Sequence, residues 1–374
     1  MAQQPIIAVI GTGGTIAGCA PRPGDTLNYQ AAVLPVQSLL AGLEPPPGFA
    51  IEAQQLAQID SKDLSEAHWR ALLQAVQQQL ERPQVQGVLV THGTDTLEES
   101  AFLLQTVLQP AKPVLLVGAM RPSTALLSDG AQNLADALQL AATPGACGVL
   151  VPCAGRVYAG HEVRKLHPHS LDAFGAGDAG ALAALEGGRL QRWRPWPGGH
   201  WLQGQEQAPR TCASPDRPAL QPPTLLPRLL ADAPWPRVEW ISSHGAQNGA
   251  VVRALLLQHA QADGTEAPLR GLLVAGTGNA TVHSALAQAL HLAEQAGVVV
   301  WRCSRIGNCV PAGPDAAQPL LDAANGLPAP ASAAASVQGP GLGLGLQEPH
   351  PPGGFPVTAL PAPQARLALQ LHLL

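Results

Sequence analysis

Long apolar runs are missing from this 374-residue chain, none reaching the roughly 18–20 residues that a membrane span requires. Basic clusters are missing too. Lys plus Arg total 21 against 26 Asp plus Glu, a formal charge of −5, and that mild acidity speaks against a nucleic-acid-binding face. The opening residues, Met1-Ala2-Gln3-Gln4-Pro5, carry no basic n-region, and the apolar stretch at 6–10 is too short for a signal peptide. A cytoplasmic, soluble protein with neither membrane nor nucleic-acid partners is therefore expected. Cysteine is sparse: Cys19, Cys147, Cys153, Cys212, Cys303 and Cys309 form no CxxC pair and have no histidines at zinc-finger spacing. That excludes a disulfide framework, and no metal is expected. Lysine is sparser still. Of the 21 basic residues only Lys62, Lys112 and Lys165 are lysines, so eighteen are arginines. A chain so biased keeps a lysine by chance or because arginine cannot do its work.

What is present is apolar material, 46% of residues against 13% charged, enough for a sizeable core and for two domains. Short apolar runs at 6–10, 87–91, 114–117 and 148–152 read as strands. They alternate with helical spacing over 65–80, 96–108 and 129–142. Such alternation with continuously apolar strands predicts an α/β fold whose sheet is parallel and covered on both faces. From 187 to about 236 the period breaks around Trp193, Pro195, Trp196, Pro197, Pro222 and Pro223, which reads as a linker or surface excursion. The pattern resumes with strands at 238–242, 271–274 and 298–302 and helices at 249–262 and 282–296. A second irregular stretch, 311–355, has the composition of a mobile segment, and 364–374 closes as a short amphipathic helix. The expected domains are 1–190, a proline-rich segment 191–236, and a C-terminal α/β domain 237–374.

In an open parallel sheet, ligands bind beyond the carboxyl ends of the strands. Three polar turns lie there: 11–15, His92-Gly93-Thr94-Asp95-Thr96, and Gly276-Thr277-Gly278-Asn279. The first imitates a dinucleotide fingerprint, but its third glycine position is Ile16, and no P-loop lysine follows; no cofactor is expected. Its glycines are compatible with a plain tight turn, and Thr94-Asp95 with a cap for the following helix. Thr15 and Thr94, however, place hydroxyls where backbone N–H groups converge, with a carboxylate at Asp95. A hydroxyl nucleophile needs a base or a lowered pKa, and Lys165 would supply the base if its surroundings lowered its proton affinity.

Gly13-Gly14-Thr15-Ile16-Ala17-Gly18 and Thr91-His92-Gly93-Thr94-Asp95-Thr96-Leu97-Glu98-Glu99 resemble the two signature motifs of bacterial-type L-asparaginases. Shorter segments of that family are matched in order: Asn28-Tyr29, Ile59-Asp60-Ser61-Lys62-Asp63, Gly118-Ala119-Met120-Arg121-Pro122-Ser123-Thr124 with Asp129-Gly130 and Asn133-Leu134, and Gly160-His161-Glu162-Val163-Arg164-Lys165. Ser304-Arg305 and Pro363-Gln364-Ala365-Arg366 extend the match to the C-terminal domain. The resemblance implies a large N-terminal domain with a mainly parallel sheet flanked by helices and a smaller α/β C-terminal domain.

It also implies roles. Thr15 would be the nucleophile, with Tyr29 on a mobile lid above it. Thr94, Asp95 and Lys165 would form a second constellation, Lys165 adjusting proton affinity and Thr94 contacting the reacting amide. Asp95 and Ser61 would hold the amino-acid end of the substrate, with Asp60, Thr94 and Ala119 in the same binding set. The expected reaction is hydrolysis of L-asparagine to L-aspartate and ammonia by a homotetramer of intimate dimers, without cofactor. Two features depart from the family pattern: a lid about one residue longer, and no clear acidic residue contributed by a neighbouring subunit. Thr281 and Asp315 are the only contributors from another subunit that the sequence offers. Alternatives are a glutaminase-asparaginase of broader specificity, an amidase for another small amino-acid amide, or a non-catalytic amino-acid-binding protein that kept the pocket.

Overall fold

The apolar run near the N-terminus becomes β1 (Ile6–Gly13), whose residues from Ile7 to Ile10 are all buried, as a strand covered on both faces requires. A computed structural model of the chain describes residues 4–197, 222–261, 267–307, 309 and 355–374. It divides into two units, Met1–Ala233 and Pro234–Leu374. In the first, β1 is followed by α1 (Val36–Leu40), β2 (Ala50–Ile59), α2 (Glu66–Glu81), β3 (Val85–Thr91), α3 (Leu97–Leu108), β4 (Pro113–Val117), α4 (Gly130–Ala141) and β5 (Gly148–Cys153). The chain then makes β6 (Arg156–Ala159), β7 (Arg164–Lys165), β8 (Phe174–Gly175), β9 (Ala183–Glu186), β10 (Arg189–Arg192) and α5 (Pro222–Leu230).

The main sheet has eight strands in the order β10-β9-β6-β5-β4-β3-β1-β2. Pairing is parallel from β2 through β5 and antiparallel from β5 through β10. The fold is α/β with a mainly parallel sheet. α2 shows why the helices form: Ser65 caps it, its Oγ accepting from His68 N while His68 Nδ1 accepts from Ser65 N. Trp69, Leu72, Leu73 and Val76 then line one buried stripe at helical spacing. The apolar cluster around Ile7, Val9, Leu89, Leu115, Leu134 and Leu138 packs α4 against the sheet.

Several elements differ from the sequence expectation. β2 is broken by polar residues at Glu52, Gln54, Gln55 and Gln58 and is only partly buried, because it is an edge strand with one neighbour; it has no apolar run to betray it. The break read at 187 is a two-residue hairpin turn between β9 and β10, with Gly187 at φ 55° and Gly188 at φ 72°, the conformation that tight hairpins demand. The segment read as linker or excursion contains α5, which begins at Pro222, where proline is favoured in a first turn. Leu225 and Leu229 are buried, and the helix packs on α2 and α3. Residues 198–221, with Cys212, lie outside the described residues.

The second unit holds β11 (Arg237–Ser242), α6 (Ala250–Ala260), β12 (Leu269–Gly276), α7 (Ser284–Gln295), β13 (Val299–Ser304) and α8 (Ala362–His372). Its three strands run parallel in the order β11-β12-β13. Leu272, Val274, Leu286, Leu290 and Val300 form its core. α8 packs on all three strands, and Leu367, Ala368, Leu369 and Leu371 are fully covered, so it is buried more completely than an amphipathic surface helix. Most of the stretch expected to be irregular, including Asp315, lies outside the described residues. No helix among those described is long and apolar enough to cross a membrane.

Candidate active site

The order β2-β1-β3-β4-β5 has a switch point: the chain leaves β1 for one side, then returns past it to the other. The crevice beyond the carboxyl ends of β1 and β3 is where an open α/β sheet accepts a ligand. Thr15 follows β1 there, and Thr94 and Asp95 follow β3. Gly13 and Gly14 turn the chain with φ of 104° and 81°, a region side-chain-bearing residues rarely adopt. Gly14 N donates to Ile59 O at 2.9 Å. A Cβ on Gly14 would stand 2.3 Å from both Cα and N of Gly93, and a Cβ on Gly93 would stand 2.5 Å from Ser61 Oγ. The turns after β1, β2 and β3 are thus in backbone contact, and this brings Thr15, Ser61 and Thr94 together.

Thr15 opens a single 3-10 turn, Thr15–Ala17, and is buried. Its Oγ1 lies 2.8 Å from the phenolic oxygen of Tyr29. Tyr29 is delivered by an antiparallel bridge between Cys19 and Gln30, whose two N–H···O bonds are both 2.9 Å. The excursion between them rests on the loop after β4. Ala20 N donates to Thr124 Oγ1 at 2.8 Å, and Leu126 N donates to Pro23 O at 2.7 Å.

Lys165 on β7 joins the second group. Its Nζ donates to Thr94 Oγ1 at 2.8 Å and to Asp95 Oδ1 at 2.6 Å. The lysine side chain is 16% exposed and the aspartate 57%, so the ammonium is sheltered while the carboxylate faces outward. With Lys165 donating to its oxygen, the Thr94 hydroxyl keeps its own proton for another acceptor. The backbone N–H of Lys165 donates to Glu98 Oε2 at 2.6 Å. Burial pushes the Glu98 carboxyl up to about 7, with Glu99 adding to the rise.

Ser61 is buried, and no described protein group bonds its Oγ. Its carbonyl accepts from Thr96 Oγ1 at 2.9 Å. An orphaned buried hydroxyl is costly unless a ligand or water completes it. Asp60 is engaged differently, its carboxylate accepting from Lys62 Nζ at 2.9 Å. Ala119 is buried just past β4, sharing a recess with Thr94, Gly118, Met120 and Asp129. Thr281 spends its hydroxyl within its own turn, donating to Thr277 O at 2.9 Å. Among the described residues no three His, Cys, Asp or Glu side chains converge as metal ligands.

Supporting residues that the motifs contained without announcing a task also appear. Asp129 accepts from Met120 N at 2.9 Å, Arg121 N at 3.0 Å and Asn133 Nδ2 at 3.1 Å, holding the loop that carries Ala119. Buried His92 stays neutral, its pKa lowered to about 4 by desolvation. Its Nδ1 therefore donates to Gly93 O at 2.7 Å, and its Nε2 accepts from Ser100 Oγ at 2.9 Å, which in turn accepts from Trp69 Nε1. The signal for both was a polar residue in an otherwise apolar surround, legible only as suspicion.

The model of the family described as "Asparaginase, N-terminal" matches residues 6–196. A glutaminase-asparaginase of Pseudomonas fluorescens biotype A is 29% identical over 303 residues, 80% of this chain and 75% of that protein. A glutaminase-asparaginase of Acinetobacter glutaminasificans is 36% identical over 189 residues, 49% of this chain and 56% of that protein. L-asparaginase 2 of Bacillus subtilis is 34% identical over 184 residues, 48% of this chain and 49% of that protein. The crystal structure of a probable cytoplasmic L-asparaginase from Campylobacter jejuni superposes with a TM-score of 0.72 at 25% identity, covering 99% of this chain and 95% of that one. With its signature turns meeting at the switch point of the expected sheet, the chain belongs to the asparaginase family.

Proposed function

We infer that the protein is an L-asparaginase, an amidohydrolase that converts L-asparagine and water to L-aspartate and ammonia through a threonine ester. The observation that carries this reading is the pairing of two threonine hydroxyls with proton-handling partners on turns in contact: Thr15 with Tyr29, and Thr94 with Lys165. A hydroxyl attacks only if its proton has somewhere to go. The Thr15 proton has the Tyr29 oxygen within reach. Attack on the side-chain carbonyl carbon forms an oxyanion, for which backbone N–H groups around Thr94 are the donors. Collapse breaks the carbon–nitrogen bond, and the amide nitrogen leaves as ammonia with the proton that Thr15 gave up. Water then attacks the ester, returning the hydroxyl to Thr15 and releasing aspartate.

The amino-acid end is a zwitterion and needs one anion and several donors. Outward-facing Asp95 meets the α-ammonium, and the orphaned hydroxyl of Ser61 meets the α-carboxylate. Asp60 and Ala119 complete the floor through the positions of their backbone. Thr94, polarised by Lys165, donates to the reacting amide. By family resemblance the enzyme works in the cytoplasm as a homotetramer of intimate dimers, with Thr281 or Asp315 offered from another subunit.

A glutaminase-asparaginase of broader specificity is the second reading, supported by the names of the first two relatives above. Ammonia release from asparagine and from glutamine, in buffer without added cofactor, tests both: activity on asparagine supports the first, comparable rates support the second, and none with either leaves a binding protein. Light scattering on the active sample tests assembly, which a fully active monomer would defeat.

A further inference from the structure

We propose that Glu98 is a positioning residue for the amide hydrolysis inferred above: its carboxylate ties the backbone of Lys165 to the first turn of α3, so that the ammonium spans Thr94 and Asp95. The inference rests on that reading of the reaction. β7 has only two residues, pairs only with β8 and stands apart from the main sheet. So short a ribbon does not by itself fix a side chain to the fraction of an ångström that proton transfer requires. Leu166 N donates to Ala173 O at 2.7 Å within the ribbon, and the lysine's own N–H is tied to the helix by the 2.6 Å bond from Lys165 N to Glu98 Oε2. Glu98 stands one turn along the same helix terminus that presents Thr94 and Asp95. One helix end thus holds the lysine at both ends, by its backbone through Glu98 and by its Nζ through Thr94 and Asp95.

The arrangement has a cost that packing alone does not explain. A carboxyl sheltered here is disfavoured as an anion, yet the anion is the stronger acceptor for an N–H. The charges that face it are Glu99 on its own helix, which opposes ionisation, and Arg164 and Lys165 across on β7, which favour it. A glutamine or an apolar side chain would fill the space without burying charge. What the ionised carboxylate adds over either is a stronger, charge-assisted bond to the Lys165 N–H.

The test uses Glu98→Gln and Glu98→Ala in the full chain. Turnover of asparagine is measured across about pH 6 to 9, with thermal melts at each pH and hydrogen exchange of the peptide spanning β7. Glu98→Ala is expected to lose roughly tenfold to a hundredfold in kcat with KM little changed and Tm not lowered, and to speed exchange at Lys165. Glu98→Gln keeps one acceptor oxygen. It is expected to restore slow exchange and most of kcat at high pH, and to lack the rise in kcat that ionisation of Glu98 gives the parent near neutral pH. Wild-type kcat and pH profile in both variants overturn the proposal, as does loss of kcat only in step with Tm. If the parent itself releases no ammonia, the reaction assignment fails. The exchange data then decide the tether by themselves, unchanged exchange in Glu98→Ala refuting it.

Discussion

Gly14 and Gly93 meet backbone to backbone: a single carbon added to Gly14 would sit 2.3 Å from both Cα and N of Gly93. Each glycine precedes a threonine of the site, so their contact sets the spacing between the Thr15 and Thr94 hydroxyls. Two demands coincide at Gly14, the absence of a side chain and a φ of 81°. Gly14→Ala is expected to cost about 2–4 kcal/mol of stability, combining overpacking and left-handed strain. It should also abolish turnover in whatever remains folded. Chemical denaturation and ammonia release on the same preparation check both, and an active, equally stable variant would show that the turns have room to part.

Tyr29→Phe separates packing from chemistry. The ring lies against the Gly18 backbone and phenylalanine retains that contact, while the 2.8 Å partner of Thr15 is lost. A fall in kcat of about 10²–10⁴, with a much smaller change in KM, is expected for loss of a proton-transfer partner. Steady-state kinetics at saturating asparagine measure it.

Lys165→Arg asks whether the cation or the proton matters. A guanidinium keeps the charge beside Asp95 but does not give up its proton, and its planar fork is bulkier than an ammonium. At least ~10² should be lost from kcat. An aspartate titration of the same variant should show binding retained through Ser61 and Asp95, and an active variant would reduce the lysine to a charge.

Ser61→Ala should raise KM by roughly tenfold to a hundredfold without lowering Tm. The hydroxyl makes no described protein bond that the folded state would lose, whereas an unpaired substrate carboxylate is costly. Melting curves with and without aspartate distinguish this from a folding defect.

Stability also carries a signature of Glu98. Its carboxyl pKa is raised from 4.5 to about 7 on folding, so the folded state holds the proton more tightly. Stability from this group is present below the unfolded value and is lost as pH rises from about 4.5 to about 7. The full shift corresponds to on the order of 3 kcal/mol. His92 works the other way, its lowered pKa costing stability as pH falls from 6.5 to about 4. The difference between parent and Glu98→Gln at each pH cancels the histidine. That difference should grow in favour of the glutamine variant up to about pH 7, and urea unfolding at a series of pH values reads it.

The parts of this fold that were legible in the sequence are those that bury apolar residues on both faces. β1, β3, β4 and β5 announce themselves as unbroken runs, and α2 as a stripe from Trp69 to Val76. β2 and the β9–β10 hairpin were not legible, because an edge strand such as β2 has little to bury and a Gly187-Gly188 turn looks like the start of disorder. Thr15, Thr94 and Lys165 could be singled out because hydroxyls after strands and a rare lysine are odd in composition. Their mutual distances could not, since 71 residues separate Thr94 from Lys165 and only the β7–β8 ribbon brings them together. Glu98 was invisible as more than motif, because its partner is a backbone N–H, which every residue but proline possesses.

Thr15 is expected to form and lose an ester with the substrate's side-chain acyl group in each turnover. The most direct test is acid-quenched peptide mass spectrometry of the enzyme turning over L-asparagine, run beside ammonia release from Thr15→Ala. An aspartyl adduct on the peptide containing Thr15, and a folded but inactive Thr15→Ala variant, are expected. Near-parental ammonia release by that variant, or an adduct mapped to Thr94 instead, would contradict the Thr15 ester.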